Sequence, residues 1–460
     1  SSISVEKFSW ANLSDEQKAY FIAPTDPENS VEMAQKRVRW LIGYDDDEVK
    51  EGYGGVDRLR SRGEKDRNII GDIVNSTPVY SGSTNQRYHR LPKGGSKYEE
   101  YLGRKKEKTP KVIVGSNHGI LHVFNANTLE EEYAYIPSLV YPKLRYVMDQ
   151  HYGKSTNAHQ YVLDGPLTVG DVFDEVKQKW ITIVTGTLGA GGKGIFAIDI
   201  TEDEKPSVLF ELSEKDIPQL GYMTGKPHIT PLANGRWGIV VGNGSYAEST
   251  DSHLLIIDIF DPKNSSEVIT AKEGKGISAL AILPDAIGQA SIVYASDLNG
   301  SMWKFDLRSS LSDQWKLDYK LYHAKTTQGK DQPITAAPTL GVNSERGGAI
   351  TVYFATGKYI DDGDRRLSKD NPYHSIYAVT DPGFTVTTGL VSKTISPPDS
   401  TGLKRDISNT TIDWSGDSVH GWRLDFGADE ERVITKPVLL GDRLIIVTIV
   451  PSSEACDYGG

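Results

Sequence analysis

Val112-Ile113-Val114-Gly115, followed by Gly119-Ile120-Leu121-His122-Val123-Phe124-Asn125, reads as two β segments joined by a short glycine turn, the second closing on an amide residue. The same order returns four times. Ile181-Thr182-Ile183-Val184 leads to Gly194-Ile195-Phe196-Ala197-Ile198-Asp199, and Ile239-Val240-Val241-Gly242 leads to Leu254-Leu255-Ile256-Ile257-Asp258. Ile292-Val293-Tyr294-Ala295 leads through Gly300 to Met302-Trp303-Lys304-Phe305-Asp306, and Val352-Tyr353-Phe354-Ala355 leads to Ile376-Tyr377-Ala378-Val379-Thr380-Asp381. Apart from the first, each hairpin ends on a carboxylate.

A further β segment precedes each hairpin, usually with a small or polar residue before proline: Thr77-Pro78, Gly165-Pro166, Thr230-Pro231, Ala337-Pro338 and, late in the chain, Lys436-Pro437. Ile277-Ser278-Ala279-Leu280 holds that place without proline. These markers are spaced more widely than the roughly 40 to 50 residues of compact propeller repeats, so long loops must be inserted. A unit of about four short antiparallel strands repeated around a centre is a propeller blade, because radial repetition leaves few exposed sheet edges. The expected class is all-β, a modified β-propeller of about seven blades with helical and loop insertions; a pair of β-sandwiches is the alternative. Val433 to Val450, with its Gly441-Asp442 turn, is expected to be another blade's strand pair. Within it, Leu444 to Val450 is far shorter than the roughly 20 residues that span a bilayer and reads as a buried strand. Trp180, Trp237, Trp303 and Trp422 are expected between blades.

The first 70 residues differ. Ser14-Asp15-Glu16-Gln17 has the pattern of a capped helix start running through Tyr20, and Ser30-Val31-Glu32-Met33 repeats it, with Val31, Ala34, Val38 and Leu41 on one face. The expected division is a helical lead-in over 1–70 packing on a propeller domain over 71–460. The acidic run Asp45-Asp46-Asp47-Glu48 reads as a solvated loop. Two insertions stand out: Tyr133 to Gln160, where Ile136-Pro137-Ser138-Leu139 runs into a helix, and the Thr/Ser/Pro-rich stretch Pro382 to Trp414, which reads as a surface loop.

The chain has 460 residues, is 38% hydrophobic with 45 glycines, and carries a net charge of −11. Global disorder is excluded, and nucleic acid is not expected as a partner, since the only dense basic run is Arg104-Lys105-Lys106-Glu107-Lys108. The single cysteine, Cys456, rules out an internal disulfide and a cysteine zinc site. With no initiator Met and no charged-then-apolar leader, the start at Ser1 reads as a mature or trimmed fragment.

Gly71-Asp72-Ile73-Val74-Asn75-Ser76-Thr77-Pro78-Val79-Tyr80, the run from Val114 through Asn117-His118-Gly119 to Ala126, and Ala134-Tyr135-Ile136-Pro137-Ser138 resemble the C-terminal domain of the PilY/PilC family. Asp164-Gly165-Pro166, Gly189 to Ile195, Asp297-Leu298-Asn299-Gly300, Met302 to Asp306 and the stretch from Val433 to Cys456-Asp457-Tyr458-Gly459-Gly460 add to the resemblance, which covers roughly residues 35 to 460. It implies a modified β-propeller and a type IV pilus biogenesis factor and pilus-tip adhesin, acting in pilus assembly against retraction, twitching motility and surface attachment. The implied partners are minor pilins and a host-cell or surface ligand. The implied place is the cell surface, pilus tip or outer membrane, reached through the periplasm. By the same resemblance, a partner for Cys456 would lie beyond Gly460, and the family's larger N-terminal region is not in this chain.

The resemblance also implies a calcium loop at Leu283, Asp285, Ile287, Gln289 and Ser291. Only Asp285 is anionic, whereas calcium takes six to eight oxygens, usually several of them carboxylate, so this site is expected to be lost. No metal, cofactor or catalytic residue is expected. Asp361-Asp362-Gly363-Asp364 with Asp370 could begin a second loop, but Arg365 and Arg366 follow, and a solvated hairpin tip neutralised by them is the favoured reading. Gly189-Ala190-Gly191-Gly192-Lys193-Gly194 satisfies GxGxxG as a string, yet a strand and not a helix follows, so turn glycines explain it. His118 and His122 could pair on a metal, or could simply occupy a turn and a strand. Two competing functions remain: a quinone-dependent dehydrogenase propeller, and a periplasmic assembly scaffold of the propeller type.

Overall fold

The computed structural model describes residues 3–4, 7–24, 26, 30–49, 58–63, 69–203, 206–365, 373–402, 404–426 and 431–452. Cys456 to Gly460, Arg366 and Asp370 therefore lie outside the described residues. The chain divides into two compact units, residues 1–229 with 258–265, and residues 230–257 with 266–460.

The first unit carries β1 (Ile3–Ser4), α1 (Asp15–Ala19), α2 (Ser30–Leu41), β2 (Val79–Ser81), α3 (Tyr98–Lys106), β3 (Lys111–Ser116), β4 (Ile120–Asn125), β5 (Glu131–Tyr135), α4 (Tyr141–Val147), β6 (Leu167–Asp174), β7 (Lys179–Thr187), β8 (Gly194–Asp199) and β9 (Ser207–Ser213). They form two antiparallel meanders, β2-β3-β4-β5 and β6-β7-β8-β9, with β1 added beside β9. Ile113, Leu121 and Val123 of the first meander share one core with Leu167, Val184 and Phe196 of the second. The sheets thus pack face to face, and this is why their strands read as unbroken apolar runs instead of alternating ones.

The second unit repeats the plan. β10 (His228–Pro231), β11 (Trp237–Gly242), β12 (Ser252–Asp258) and β13 (Glu267–Ala271) form one sheet, and β14 (Ile277–Pro284), β15 (Ala290–Asp297), β16 (Ser301–Asp306) and β17 (Lys316–His323) the next. β18 (Thr339–Asn343), β19 (Ala349–Ala355), β20 (Ser375–Thr380), β21 (Leu390–Lys393) and β22 (Gly421–Asp425) form a third, and β23 (Val438–Leu440) pairs with β24 (Arg443–Ile445). Val240 and Leu254 share a core with Val293 and Phe305, and Tyr294 and Leu321 share another with Phe354 and Val379. All five hairpins read from sequence are present, as β3–β4, β7–β8, β11–β12, β15–β16 and β19–β20. Against the expected count of about seven blades, the described residues form five sheets of four or five strands and the β23–β24 pair.

The residue that ends each hairpin has a common task. Its side-chain oxygen accepts the backbone N–H two residues on: Asn125 from Asn127 at 2.9 Å, Asp199 from Thr201 at 2.9 Å, Asp258 from Phe260 at 2.9 Å, Asp306 from Arg308 at 3.0 Å and Asp381 from Gly383 at 2.9 Å. Asp and Asn are the residues whose short side chains make this turn. The repeated acidic or amide ending is therefore a strand stop.

Several sequence expectations change. Ser14 does cap α1, accepting from Gln17 N at 3.2 Å while the Gln17 side chain accepts from Ser14 N at 2.9 Å. In α2, however, the buried face is Met33, Ala34, Val38, Trp40 and Leu41, and Val31 is half exposed. Glu48 of the acidic run is buried, not solvated, because Arg62 Nε donates to it at 2.6 Å and its backbone N at 3.0 Å. The stretch read as a surface loop after Pro382 contains β21, which lies parallel to β22 with Leu390 opposite Gly421. Leu444 to Val450 is not a continuous buried strand: Arg443–Ile445 pairs with β23, Ile449 forms a single bridge with Arg432, and Ile445 and Val447 are exposed. Trp303 does lie in the core shared by neighbouring sheets, whereas Trp180 packs under Tyr88 and Tyr98 beside α3.

α3 was not expected. Its signals are present in retrospect: Glu99 and Glu100 in the first turn, Arg104, Lys105 and Lys106 in the last, and Tyr98, Tyr101 and Leu102 on one buried face. Acids near the start and bases near the end suit the helix dipole.

Candidate functional site

The loop matched to the family's calcium site joins β14 to β15, and it closes on its own polar groups. Asp285 Oδ1 accepts the backbone N–H of Ile287 at 3.0 Å and of Gln289 at 2.8 Å, and Asp285 N donates to Gln289 O at 2.8 Å. The Gln289 amide donates to Leu232 O at 3.0 Å. Leu283 and Ile287 bring no side-chain oxygen, so the residues present do not fit a calcium ion: one carboxylate is available, and half of it already closes the turn. In a calcium titration by calorimetry, Asp285→Ala is expected to leave any heat unchanged while loosening the hairpin by about 1 kcal/mol. Micromolar binding abolished by that change would overturn this account.

The second acidic loop lies between β19 and β20. Asp361 and Asp364 both face Lys358, 2.8 and 3.3 Å away; Arg366 and the Arg365 side chain, expected to neutralise the loop, lie outside the described residues. Asp364 also accepts Ile360 N at 2.7 Å, and Arg432 ties the loop from beneath through the carbonyls of Lys358 and Asp364. Among the described residues no group of three or more His, Cys, Asp or Glu side chains is placed to hold a metal ion.

His118 and His122 face different partners. His122 Nδ1 is 2.6 Å from Glu131 and its Nε2 3.1 Å from Ser116 Oγ. His118 Nδ1 meets Ile69 O at 3.2 Å, while its Nε2 faces the Arg60 guanidinium. An arginine donates only, so Nδ1 carries the proton and the ring is neutral. Burial and the Arg60 charge push its pKa down to about 4, so it stays neutral across the physiological range.

Three segments far apart in sequence meet beside His118. Asn75 donates through its backbone N and its amide to Asp164, at 3.1 and 2.6 Å. Asn117 donates to Asp72 at 2.8 Å and accepts Val162 N at 2.9 Å, and His159 lies 2.8 Å from Asp72. Burial raises the Asp164 carboxyl, whereas at Asp72 the Asn117 and His159 bonds outweigh burial and lower it. The Gly189–Gly191 turn joins the same region: Gly189 has φ +58°, and a Cβ on Gly191 would stand 1.9 Å from Val162 O. These glycines permit close backbone approach. Sequence reading found Asn75, Asn117 and Asp164 as parts of motifs, but missed Arg60 and His159, which sit in stretches without a pattern.

No described helix is long and apolar enough to cross a membrane. A family profile, the PilY1 beta-propeller domain, matches residues 70–408. The chain is 32% identical over 92% of its length to a type IV pilus biogenesis factor PilY1 homolog of Xylella fastidiosa, and 30% identical over 99% to the type IV pilus biogenesis factor PilY1 of Pseudomonas aeruginosa strain PAK. It spans only 34% and 42% of those relatives' lengths. It is also similar to the crystal structure of the Pseudomonas aeruginosa PilY1 C-terminal domain, with 28% identity, a TM-score of 0.68, and coverage of 81% of this chain and 83% of that one. The face-packed meanders are those of a β-propeller.

Proposed function

The chain belongs to the PilY1 beta-propeller domain family, and on that premise we propose that it serves type IV pilus biogenesis without catalysis. The propeller presents its loops to minor pilins and to a surface ligand, outside the cell at the pilus tip or on the outer membrane, and favours pilus extension over retraction. Twitching motility and attachment follow from that role. The observation that carries this reading is the match over residues 70–408 together with the likeness in fold to the Pseudomonas aeruginosa domain. Binding residues in such a scaffold belong on loops held by a rigid frame. The Asp285 loop takes no calcium in this reading, so pilus retraction is not under calcium control through it.

The test is a gene deletion complemented by the full protein or by a version lacking this propeller. Sheared surface pili, twitching zones and attached cells are counted. The expected result is that only the full protein restores all three, and that pili return without the propeller when retraction is disabled. Unchanged pili and attachment in the deletion strain would sink the proposal. Protease accessibility on intact cells separates a surface location from a purely periplasmic one.

A further inference from the structure

The basic run Arg104 to Lys108, which the pilus role does not use, forms one wall of a cavity in the first unit. Tyr98 and Tyr101 anchor α3 against β6 and β7 through Asp171, with hydroxyl-to-carboxylate distances of 3.0 and 3.4 Å. This places the end of α3 opposite Lys179 and Trp180 and beside the turn Thr201 to Asp203. The pocket is partly open and holds about 340 Å³, within the range of small-ligand sites, which runs from about 300 to 1,000 Å³.

Five cations line it, Arg104, Lys105, Lys108, Lys111 and Lys179, against the two acids Glu202 and Asp203. Asp171 and Glu132 pair with Lys105 and Lys111 from behind the wall, so the surplus positive charge sits on the rim, in a chain of net charge −11. The inner lysines are fixed. Lys105 is 2.6 Å from Asp171, Lys111 is 2.6 Å from Glu132 and 2.7 Å from Asp203, and Lys108 bonds Thr201 O and lies 3.2 Å from Glu202. The rim cations are free to act. The Lys179 side chain makes no hydrogen bond or ion pair among the described residues, and Arg104 has only a loose contact with Glu100, 3.7 Å away, on an exposed surface.

We propose that this cavity binds an acidic saccharide, its carboxylate or sulfate taken by Arg104 and Lys179. Neither of these two cations has to give up a close carboxylate partner when the ligand arrives. The rest of the lining alternates hydroxyls, Ser81 and Thr109, with the apolar surfaces of Pro110 and Ile200. That mixture matches a sugar ring, which offers hydroxyls at its edge and C–H groups on its faces. A small concave pocket suits a compact ring better than an extended acidic peptide. The proposal stands on the cavity alone, apart from the pilus reading.

The test is calorimetry or ligand-observed NMR on the purified chain with an oligogalacturonate, a heparin-derived oligosaccharide, a maltooligosaccharide, a polyglutamate peptide and inorganic sulfate. One or both acidic oligosaccharides are expected to bind, the two arms separating carboxylate from sulfate recognition, while the neutral one does not. Arg104→Glu with Lys179→Glu is expected to weaken that binding at least about tenfold, with an unchanged circular dichroism spectrum and melting temperature. Failure of both acidic saccharides to bind, equal binding by the double variant, or equal or tighter binding of sulfate or the peptide would each overturn the proposal.

Discussion

Asp381→Ala is expected to cost the second unit about 3 kcal/mol. Asp381 follows β20 and is met by three adjacent strands of the neighbouring sheet. Tyr294 of β15 donates to it at 2.6 Å, Tyr319 of β17 donates to its other oxygen, and Lys304 of β16 lies 2.9 Å away. Its side chain is 6% exposed and that of Lys304 is 15% exposed. Alanine would take the acceptor from the Tyr294 and Tyr319 hydroxyls and the strongest partner from the Lys304 ammonium, which would keep only Tyr319 Oη at 2.9 Å and Asp318 at 3.6 Å. Changing Lys304→Met as well is expected to recover part of the loss, because removing both charges costs less than stranding one. Urea unfolding of the single and double variants measures this, and a loss below about 1 kcal/mol for the single variant would show that water replaces the carboxylate.

The pH dependence has a fixed sign. Burial pushes the Asp381 carboxyl up, but the Tyr294, Tyr319, Gly383 and Lys304 bonds outweigh it and hold the pKa below the ordinary range. Such a group binds fewer protons folded than unfolded. Its contribution is complete above the unfolded value near pH 4 and is lost as pH falls through the lower folded value. The gap between wild type and Asp381→Ala should therefore narrow below about pH 4.

Asp297→Ala is expected to cost about 3 kcal/mol, read as a fall in melting temperature of about 6–12 °C. Asp297 is fully buried at the end of β15, where one oxygen accepts Asn299 N at 2.9 Å and Ser301 N at 2.8 Å. The other accepts Trp303 Nε1 at 2.6 Å and Ser252 Oγ at 3.2 Å. Asp297→Asn should be intermediate, since the amide oxygen can still close the turn while its NH2 would face the indole N–H, donor against donor. Burial raises this carboxyl despite those bonds. Its sign is opposite to that of Asp381: its contribution weakens as pH rises from the unfolded towards the folded value. A melting temperature within about 2 °C of wild type for the alanine variant would refute the assigned role.

The hairpins were legible because both faces of each strand are covered, which writes a continuous apolar run such as Ile239-Val240-Val241 between glycines. The strand stops were legible as a repeated letter, although their hydrogen bonds were not. What sequence could not show was pairing at a distance: nothing near Asp381 names Tyr294, and nothing near Asp164 names Asn75. α3 was hidden by its own charge, since a run of bases reads as solvated surface until Tyr98 and Tyr101 are seen to be buried. β21 was hidden because its four residues sit in a Ser/Thr-rich stretch and pair parallel, which no local turn signals. In α2 the pattern gave the helix but not its rotation, because Trp40 and Met33 outweighed Val31 for the core.

β1 on β9 and β21 on β22 bear on how this molecule behaves in a crowd. The last strand of a sheet is a half-closed zipper, able to recruit an identical copy and start a fibre. Here β1 covers two residues of β9 and β21 covers β22, and the outer strands β5, β13 and β17 carry Glu131, Glu132, Glu267, Lys316, Asp318 and Lys320. Charges of one sign on β5 oppose self-stacking, and mixed charges on β17 require a precise match. Side-chain charge, as well as backbone, thus decides what can dock on these edges.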